Sequence, residues 1–512
     1  MTRHQSFDNT GRPSALVIGA GLGGLAAAMR LGAKGYAVTV LDRLDRPGGR
    51  ASSITRGGHR FDLGPTIITV PQVYEKLWAD CGRDFHSDVD LRALDPFYEI
   101  RWPDGSVFRA RGDTEAMVAE VARLSPADAL GYRRYLEDSR KRYVVGFEGL
   151  LTKPMQALWE TIKVLPTFAW LRADRAVFGQ VKRRIKDPRV RMALSYHPLL
   201  IGGNPTRVTS MYALVSYLEK EFGVHYAMGG TQALAEAMVR VIEDQGGVLR
   251  METTADEILV KGGHVAGVRL ASGEVIPSSL VVSNADVGHT YDHLMRRAFR
   301  WRWTPEVLRR RKWSMGLYVW YFGTKGTRGM WPDVGQHTIL SGPRYEALLH
   351  DVFLKGHLAG DMSLYVHRPS VIDPSVAPRG DDTFYVLSPV PHLGHRTPVD
   401  WAKEEEPYRK KMTQVLQSLI PGFDAHLTEQ VTFTPEVFRD RYLSFNGSGF
   451  SLEPRILQSA WFRPHNVSEE AQGLYLVGAG THPGAGVPGV VASAEVVDQL
   501  IPEATSAPVP AE

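Results

Sequence analysis

The chain has 512 residues, of which 43% are hydrophobic and 23% are charged, and its formal net charge is +4. This composition is typical of a globular protein and excludes a largely disordered chain, while the length predicts two domains. Because no run of about 18 apolar residues is free of charge, no transmembrane helix is predicted. Neither a zinc-finger pattern nor a basic region followed by heptads is present, so nucleic acid is not expected as a partner.

The start of the chain and its single cysteine indicate the cellular compartment. Residues 1–13 are polar and lack the apolar core of a signal peptide, so we expect a protein that is not secreted. Cys81 is the only cysteine, which rules out an internal disulfide and a thiolate metal cluster and favours a reducing compartment. No metal site is predicted, and Cys81 is expected to be a buried bystander.

The first predicted elements are an apolar strand over residues 15–18, a glycine-rich turn and a helix over 25–31. Gly19, Gly21 and Gly24 have the G-x-G-x-x-G spacing, which lets backbone approach a pyrophosphate and directs the helix N-terminus at its negative charge. Glycine-rich turns between a strand and a helix also occur for structural reasons alone. The strand-turn-helix order favours a dinucleotide site.

A second predicted strand, residues 37–41, ends in Asp42. A carboxylate about twenty residues after the glycines accepts hydrogen bonds from the adenosine ribose hydroxyls and repels the additional phosphate of NADP. Gly48, Gly49 and Arg50 follow, and they place a fixed cation and free backbone amides beside a diphosphate. A nicotinamide enzyme has no evident use for this element, so it favours FAD over NAD. The segment around Gly64, Pro65 and Thr66 belongs to the same prediction.

Two stretches of the central chain combine basic and large apolar residues. Residues 153–191 carry ten Lys or Arg against three acids, a composition typical of helices that lie on anionic membrane surfaces. For an isolated segment of this kind, a solvated helix with one core face is the better interpretation. The second stretch favours the membrane interpretation because tryptophan prefers membrane interfaces. It contains Arg296, Arg297, Arg300, Trp301, Arg302, Trp303, Arg309, Arg310, Arg311, Lys312 and Trp313.

The last predicted strand, residues 474–477, opens into a loop rich in glycine, and a helix follows over 490–500. Such a loop lets backbone N–H groups approach a flat ring, and the helix N-terminus stabilises charge on the pyrimidine side of a reduced flavin. A purely structural glycine loop is the alternative. His482 is expected to pack or to donate a hydrogen bond. The residues predicted to contact the cofactor here are Gly478, Ala479, Gly480, Gly489 and Val490.

These motifs and four longer stretches carry a resemblance. The glycine turn, the Gly48–Arg50 element, the segment 61–66 and the loop 478–489 resemble, in order and spacing, the flavin amine oxidase superfamily. The stretches HPLLIGGNP (197–205), VSNAD (282–286), SAWFRPH (459–465) and GAGTHPGAGVPG (478–489) are similar to those of bacterial-type phytoene desaturases, a carotenoid/retinoid oxidoreductase family, most closely those of purple photosynthetic bacteria. Amine oxidases usually carry an acid where this chain has Ala479, which weakens an amine oxidase interpretation.

The resemblance implies the fold and its division. We expect an α/β protein with a Rossmann-like, glutathione-reductase-like FAD-binding domain that is discontinuous, an inserted α+β substrate domain and a helical membrane-contacting region. The FAD-binding domain comprises residues 12–95, 223–293 and 468–505, with Ala255 at the adenine side. The helical membrane and substrate region comprises 96–222, and the substrate-binding domain comprises 294–467. Residues 1–11 and 506–512 are expected to be flexible tails.

The resemblance also implies the chemistry. FAD, held without a covalent bond, dehydrogenates 15-cis-phytoene through phytofluene and ζ-carotene to neurosporene or lycopene, at the cytoplasmic side of a membrane, with oxygen or a quinone as electron acceptor. Glu160 and Lys163 are the candidates for proton handling, although such pairs are often surface ion pairs. Two alternatives stay open: another enzyme of the superfamily, such as an amine oxidase or a different carotene desaturase or isomerase, and a non-catalytic prenyl-binding protein. Aromatic residues expected to line a substrate tunnel are Tyr196, Phe384, Tyr385, Phe438, Phe445 and Phe450.

Overall fold

The computed structural model describes residues 11–504, so the expected tails lie outside the described residues except for residue 11. Five parallel strands from distant parts of the chain form a central sheet. Their order is Val248–Arg250, Ala37–Leu41, Ser14–Ile18, Val281–Ser283 and Leu474–Leu476. Parallel strands covered on both faces are apolar throughout, which is why short apolar runs in the sequence located most of them.

Three helices pack with this sheet around a common apolar core: Leu22–Ala33, Gly230–Asp244 and Val487–Asp498. The first and third contact each other directly, so the two ends of the chain meet. The N-cap residues of these two helices are Gly21 and Gly486, so no side chain caps either helix. The free N–H groups of both helix starts are therefore available to a ligand.

In the sequence, a three-stranded antiparallel meander follows the strand Val248–Arg250 and precedes the strand Val281–Ser283. It consists of Ala255–Lys261, His264–Leu270 and Val275–Pro277. Its side chains join the apolar cluster that covers the second face of the central sheet.

A second, seven-stranded sheet is formed mainly by the second half of the chain. Its order is Leu427–Phe433, Gly316–Thr324, Asp382–Val390, Leu364–His367, His337–Leu340, Tyr98–Arg101 and Val107–Ala110. All neighbours are antiparallel except His337–Leu340 and Tyr98–Arg101. The segment 96–222 is therefore not purely helical, because its first two strands complete this large sheet.

Shorter elements fill the space around the two sheets. The small strands are Ser53–Arg56, His59–Asp62, Ile68–Thr69, Leu91–Ala93 and Val224–Ala227. The helices before the meander are Pro71–Asp80, Phe85–Asp88, Thr114–Leu124, Ala129–Tyr143, Leu158–Trp170, Val177–Lys182, Pro188–Ser195 and Leu214–Phe222. The later helices are Val287–His289, Pro305–Arg310, Tyr345–His350, Trp401–Leu416 and Pro435–Tyr442. In residues 11–504, no helix combines the length and the apolar character needed to cross a membrane.

The second basic stretch is divided between the core and the surface. Trp301 is 62% exposed, and Arg309 and Arg310 are also exposed. Trp303 is fully buried, and Trp313 is 4% exposed. Arg296 pairs with Asp256 and Arg297 with Glu257, both on the first strand of the meander. Two of the three indole groups pack in the core, and the charges of Arg296 and Arg297 are partly neutralised. Membrane contact by the exposed remainder of the stretch stays a prediction.

Candidate cofactor and substrate site

A cavity of about 1050 Å³ extends from the glycine loops of the central sheet to the large sheet. Pockets for drug-sized ligands usually enclose about 300–1,000 Å³, so the space exceeds the need of one such ligand. Of the residues predicted to contact a cofactor, those that line it are Gly19, Gly21, Asp42, Gly48, Gly49, Arg50, Gly64, Pro65, Thr66, Ala255, Gly478, Ala479, Gly480, Gly489 and Val490. One continuous wall therefore contains segments from both ends of the chain.

Gly24 is the predicted cofactor contact that the cavity lining does not include. A Cβ atom at this position would lie 2.0 Å from the carbonyl oxygen of Gly19. Gly24 therefore lets the helix begin close against the preceding turn. Close packing inside the motif therefore explains why position 24 is a glycine, whereas Gly19 and Gly21 face the cavity.

Asp42 lies at the carboxyl end of its strand and is 8% exposed. Its Oδ2 accepts a hydrogen bond from the backbone N–H of Ala20 at 2.7 Å, and its Oδ1 accepts one from Leu44 at 2.8 Å. Burial raises the pKa of this carboxyl, while the two N–H donors lower it. The carboxylate is thus held at the cavity edge with lone pairs left for ribose hydroxyls.

Arg50 brings a cation to the cavity wall. Its guanidinium donates to the hydroxyl of Ser444, and desolvation lowers the pKa of Arg50 while the charge of Asp286 raises it. Asp286 also lines the cavity, and burial raises the pKa of its carboxyl. Oδ2 of Asp286 has no hydrogen-bond partner among the described residues. A positive group and an unfilled acceptor at one wall fit a ligand with both an anionic diphosphate and N–H groups.

The segment around Thr66 connects the cofactor end of the cavity to the large sheet. Thr66 Oγ1 lies 2.5 Å from the hydroxyl of Tyr365, which in turn lies 2.6 Å from Nδ1 of His337. All three residues line the cavity. Burial lowers the pKa of His337 to about 3, so its imidazole is neutral near pH 7.

The last glycine loop is shaped by close backbone contacts. Gly478 has a φ of +95°, and a Cβ atom there would lie 2.7 Å from Oδ1 of Asn284. His482 is 7% exposed, its Nε2 lies 3.0 Å from the carbonyl oxygen of Leu150, and burial lowers its pKa to about 4. His482 therefore has the hydrogen-bonding role expected for it rather than that of a charged acid. The loop presents backbone rather than ionised side chains to the cavity.

The remainder of the cavity is mainly apolar. Of the aromatic residues expected along a tunnel, Tyr196, Tyr385, Phe438 and Phe450 line it. Phe384 precedes Tyr385 on one strand and points to the opposite face of the sheet, where its ring stacks 5.0 Å from that of Phe322. Phe445 instead stacks on Trp313 at 4.6 Å between ring centroids. The predictions for these two residues were wrong because strand alternation and loop packing turn them elsewhere.

Glu160 and Lys163, the candidates for proton handling, are absent from the cavity lining, although Thr161 and Leu165 of the same helix belong to it. Glu160 Oε2 accepts a hydrogen bond from the backbone N–H of Ala157 at 3.2 Å and so caps its own helix. Lys163 is exposed, and its Nζ lies 3.8 Å from the ring centroid of Trp159. These contacts give both side chains structural roles, and their proton-handling role stays a prediction.

Sequence reasoning missed a buried polar group in the apolar part of the cavity. Glu219, His197 and Tyr98 come from three separate segments and all line the cavity. Glu219 Oε2 lies 3.0 Å from both the Tyr98 hydroxyl and Nε2 of His197. No local spacing links these positions. The only sequence signal was that His197 opens one of the stretches used for the family resemblance.

Cys81 and possible metal ligands complete the inventory of reactive groups. Cys81 Sγ lies 3.6 Å from the carbonyl oxygen of Met29, and burial raises its pKa to about 11. The thiol is half-buried rather than fully buried, and it lies away from the cavity lining. In residues 11–504, no three His, Cys, Asp or Glu side chains are arranged to hold a metal ion.

Comparison with known proteins decides the family. The family model for flavin containing amine oxidoreductase matches residues 22–497. A phytoene desaturase (neurosporene-forming) of Cereibacter sphaeroides is 65% identical over 493 residues, which cover 96% of this chain and 95% of that protein. A phytoene desaturase (neurosporene-forming) of Rhodobacter capsulatus is 63% identical over 508 residues, and that alignment covers 99% of this chain and 97% of the other protein. The chain belongs to the phytoene desaturases of the flavin-containing amine oxidoreductase family.

A solved structure supports the fold of this family member. The crystal structure of an oxidoreductase from Methanosarcina mazei has a TM-score of 0.66 with 17% sequence identity, covering 95% of this chain and all of the other. The likeness at this identity concerns the fold alone. Together with the family match, it confirms the expected α/β fold of flavin amine oxidase type.

FAD is the cofactor of this family, and the wall of the cavity fits it. The two glycine loops leave no room for side chains where backbone approaches the cavity, since a Cβ at Gly21 would lie 2.7 Å from Asn284 Nδ2. Two uncapped helix starts, the Arg50 cation and the Asp42 carboxylate lie on the same wall. These are the groups that a diphosphate and a ribose require.

Proposed function

We propose that this desaturase dehydrogenates 15-cis-phytoene in several steps, through phytofluene and ζ-carotene, and releases neurosporene. The observation that carries the proposal is the continuity of the cavity from the glycine loops into an apolar space under the large sheet. A C40 hydrocarbon offers no hydrogen-bonding group, so its binding depends on apolar area removed from water. Neurosporene is the proposed end product because the relatives at 65% and 63% identity are both named for forming it.

The cofactor contacts proposed from the sequence divide the binding task among themselves. Asp42 accepts hydrogen bonds from the ribose, and the glycine turn around Gly21 with the following helix start holds the diphosphate. Arg50 adds a charge-assisted contact, and the backbone near Ala255 faces the adenine side. The loop from Gly478 to Gly489 and the helix N-terminus after it would hold the pyrimidine side of a bound flavin through backbone N–H groups. Such contacts hold FAD without a covalent bond.

FAD supplies, when bound, an acceptor for a hydride equivalent. The side chains of the apolar wall have the task of holding the substrate chain in one orientation and of excluding water. Tyr385, Phe438 and Phe450 supply large rigid surfaces for that purpose. We propose oxygen or a membrane quinone as the final electron acceptor.

The same proposal includes a peripheral position on a membrane. On the helix Leu158–Trp170, Ile162 is 53% exposed and Trp170 is 66% exposed. Leu165 and Leu457 are 50% and 64% exposed, and both also line the cavity. The cavity therefore opens among exposed apolar side chains, which suits entry of a water-insoluble substrate from lipid.

Basic residues border this opening. Arg207, Arg310, Arg311 and Arg455 surround a cleft that also contains Ile456 and Leu457. Guanidinium groups beside exposed apolar side chains match the phosphate and acyl regions of an anionic lipid surface. We propose that these residues and the helix Leu158–Trp170 face the cytoplasmic leaflet.

Reconstitution tests the function directly. The purified protein with FAD is incubated with phytoene in liposomes, and the carotenes are separated by chromatography. We expect phytofluene and ζ-carotene to appear first and neurosporene to accumulate. Parallel incubations without oxygen, with and without a quinone, identify the electron acceptor. Incubation with amines, followed by peroxide release, tests the amine oxidase alternative. Flavin-loaded protein that leaves phytoene unchanged would contradict the proposal.

A further inference from the structure

The buried carboxylate of Glu219 has no evident use in a cavity that holds only a hydrocarbon. Glu219 lies on the helix Leu214–Phe222, and its side chain, which is 6% exposed, faces Tyr98 at the beginning of the strand Tyr98–Arg101. Taking a carboxylate out of water costs several kcal/mol unless hydrogen bonds compensate. An apolar substrate supplies none, so selection for packing alone favours a neutral residue at this position.

Two neighbours hold the carboxylate in one orientation. The Tyr98 hydroxyl donates to Oε2 at 3.0 Å, and Nε2 of His197 lies 3.0 Å from the same oxygen. The ring of His197 stacks on Tyr196 at 4.5 Å between centroids, and Tyr196 packs edge-on against Tyr98 at 5.5 Å. Both hydrogen bonds therefore converge on Oε2 from rigid, buried aromatic groups.

The second oxygen is different. Oε1 of Glu219 is buried and has no hydrogen-bond donor among the described residues. A carboxylate with one oxygen fixed and the other unfilled is arranged to accept a proton on the free oxygen. Glu219 faces the cavity together with Tyr98, Tyr196 and His197, which contain the hydrogen-bond network that would reorganise after such a transfer.

The surroundings contain little competing charge. Within residues 11–504, His197 is the one cationic or potentially cationic side chain at ion-pair distance from Glu219. The other titratable groups near it are Tyr98 and Tyr196, and Tyr132 and Tyr135 on the packed helix Ala129–Tyr143. No salt bridge between residues 11 and 504 joins a Lys or Arg to this carboxylate.

We propose that Glu219 is the proton acceptor of the dehydrogenation, held in position by Tyr98 and His197. The inference rests on the proposed function. In each step one carbon of a CH₂–CH₂ unit loses a hydride, with FAD as the two-electron oxidant. The C–H bond of the adjacent carbon breaks, its proton passes to Glu219, and its electron pair becomes the new C=C bond. Electrons and hydrogens balance, and the proton later leaves to solvent.

The decisive comparison uses Glu219→Gln and a matched control, Glu221→Gln. Gln keeps the size of the side chain and an oxygen that accepts from Tyr98, but it cannot take up a proton at neutral pH. Glu221 lies on the same helix, is 40% exposed and pairs with Lys220 at 3.2 Å. Flavin content, thermal unfolding and phytoene binding, followed by quenching of tryptophan fluorescence, are measured first for both variants.

Flavin reduction is then followed in a single anaerobic turnover with phytoene in liposomes. We expect Glu219→Gln to reduce its flavin at least about 100-fold more slowly than Glu221→Gln, with unchanged flavin content and phytoene affinity, since general-base removal costs about 10²–10⁴ in rate. Infrared difference spectra should show a protonated carboxyl that forms with the wild type and is missing in the variant.

The outcomes separate the two proposals. If wild-type flavin is not reduced by phytoene, the proposed function fails and the role of Glu219 with it. If the wild type reacts and Glu219→Gln matches Glu221→Gln, only the role of Glu219 is overturned. Should Glu219→Gln not retain flavin, the wild-type infrared spectrum decides, because absence of a new protonated carboxyl during turnover also overturns it. A Glu219→Asp variant that folds and recovers part of the rate supports it.

Discussion

The side-chain amide of Asn284 donates a hydrogen bond to the carbonyl oxygen of Gly19 at 3.3 Å, across 265 positions of sequence. The other end of the same amide faces Gly478, whose added Cβ would lie 2.7 Å from Asn284 Oδ1. Asn284 therefore joins the first and last glycine loops at one point. The shape of the cofactor wall depends on this contact.

Gly478→Ala tests that junction. The φ of +95° is strained for alanine, and the new Cβ collides with Asn284, so we expect loss of bound FAD and a destabilisation of about 2–3 kcal/mol. Gly273→Ala is the control, because Gly273 has a φ of +90° with nothing within 4 Å of an added Cβ. It should cost only about 1 kcal/mol and keep its flavin. Flavin absorbance per protein and urea unfolding measure both, and equal losses would contradict the steric argument.

Asp42→Asn tests the ribose contact. Replacing one carboxylate oxygen by an N–H₂ group removes an acceptor and opposes the backbone N–H of Ala20 or Leu44. We expect FAD to bind at least about tenfold more weakly, a difference of about 1.4 kcal/mol. Titration of FAD into the cofactor-free protein gives the dissociation constant. Asp45→Asn, at an exposed position, should bind as the wild type does.

Asp62 gives the apoprotein a pH-dependent stability. Burial is the main cause that raises its pKa to about 7, Asp373 adds to the rise and Arg60 opposes it. Since the folded pKa lies above the ordinary aspartate value of 3.8, the stabilising contribution is full below about pH 4 and is lost as pH rises through about 7. Relative to Asp62→Asn, the wild type should lose up to about 4 kcal/mol of unfolding free energy over that range. Urea unfolding at several pH values measures it, and parallel pH profiles would refute the assignment.

Glu160→Gln separates two roles for Glu160. As a helix cap, Glu160 accepts the N–H of Ala157, and an amide oxygen accepts the same hydrogen bond. From this geometry we expect turnover within about twofold of the wild type, as is usual for a surface change with its contact retained. Carotene formation by flavin-loaded protein is the measurement. A severe loss of turnover at normal flavin content would instead support the proton-handling role predicted from the sequence.

Ile162→Gln tests the membrane surface. Ile162 is 53% exposed on the helix at the cavity opening, and burying such a side chain in lipid contributes about 1.5–3 kcal/mol. We expect vesicle binding to weaken about tenfold or more, with flavin content unchanged. Val371→Gln, 46% exposed and outside the cavity lining, is the matched control. Sedimentation with liposomes measures binding, and equal binding by the two variants would rule out this face.

Arg310→Gln examines the charge part of the same surface. Arg310 lines the basic cleft, whereas Arg309 on the same helix pairs with Glu306 at 2.8 Å. Each basic residue near an anionic leaflet contributes about 1 kcal/mol. Arg310→Gln should therefore bind vesicles containing phosphatidylglycerol more weakly than Arg309→Gln, with no difference on neutral phosphatidylcholine. A loss on both kinds of vesicle would point to misfolding of the helix instead.

The cofactor wall was largely predictable because its signals are local. The strand, turn and helix around Gly21, and the glycine loop after residue 477, follow from short-range backbone geometry and apolar periodicity. The strand over residues 37–41 has the predicted bounds, and the first helix begins three residues earlier than predicted, at Leu22. The family resemblance rested on the same local stretches.

The rest required the tertiary structure, because it depends on which distant segments meet. Trp303 is buried in the core, where its indole N–H donates a hydrogen bond to the carboxylate of Glu469. A pattern of basic and aromatic residues in the sequence does not indicate this contact. Tyr385 lines the cavity while Phe384, on the opposite face of the same strand, does not. Only the position of the sheet in the folded protein decides which of the two faces meets the cavity. Glu219 meets Tyr98 and His197 across 121 and 22 positions. The sequence by itself determined the cofactor cradle through local backbone preferences, whereas long-range packing decided what surrounds the substrate.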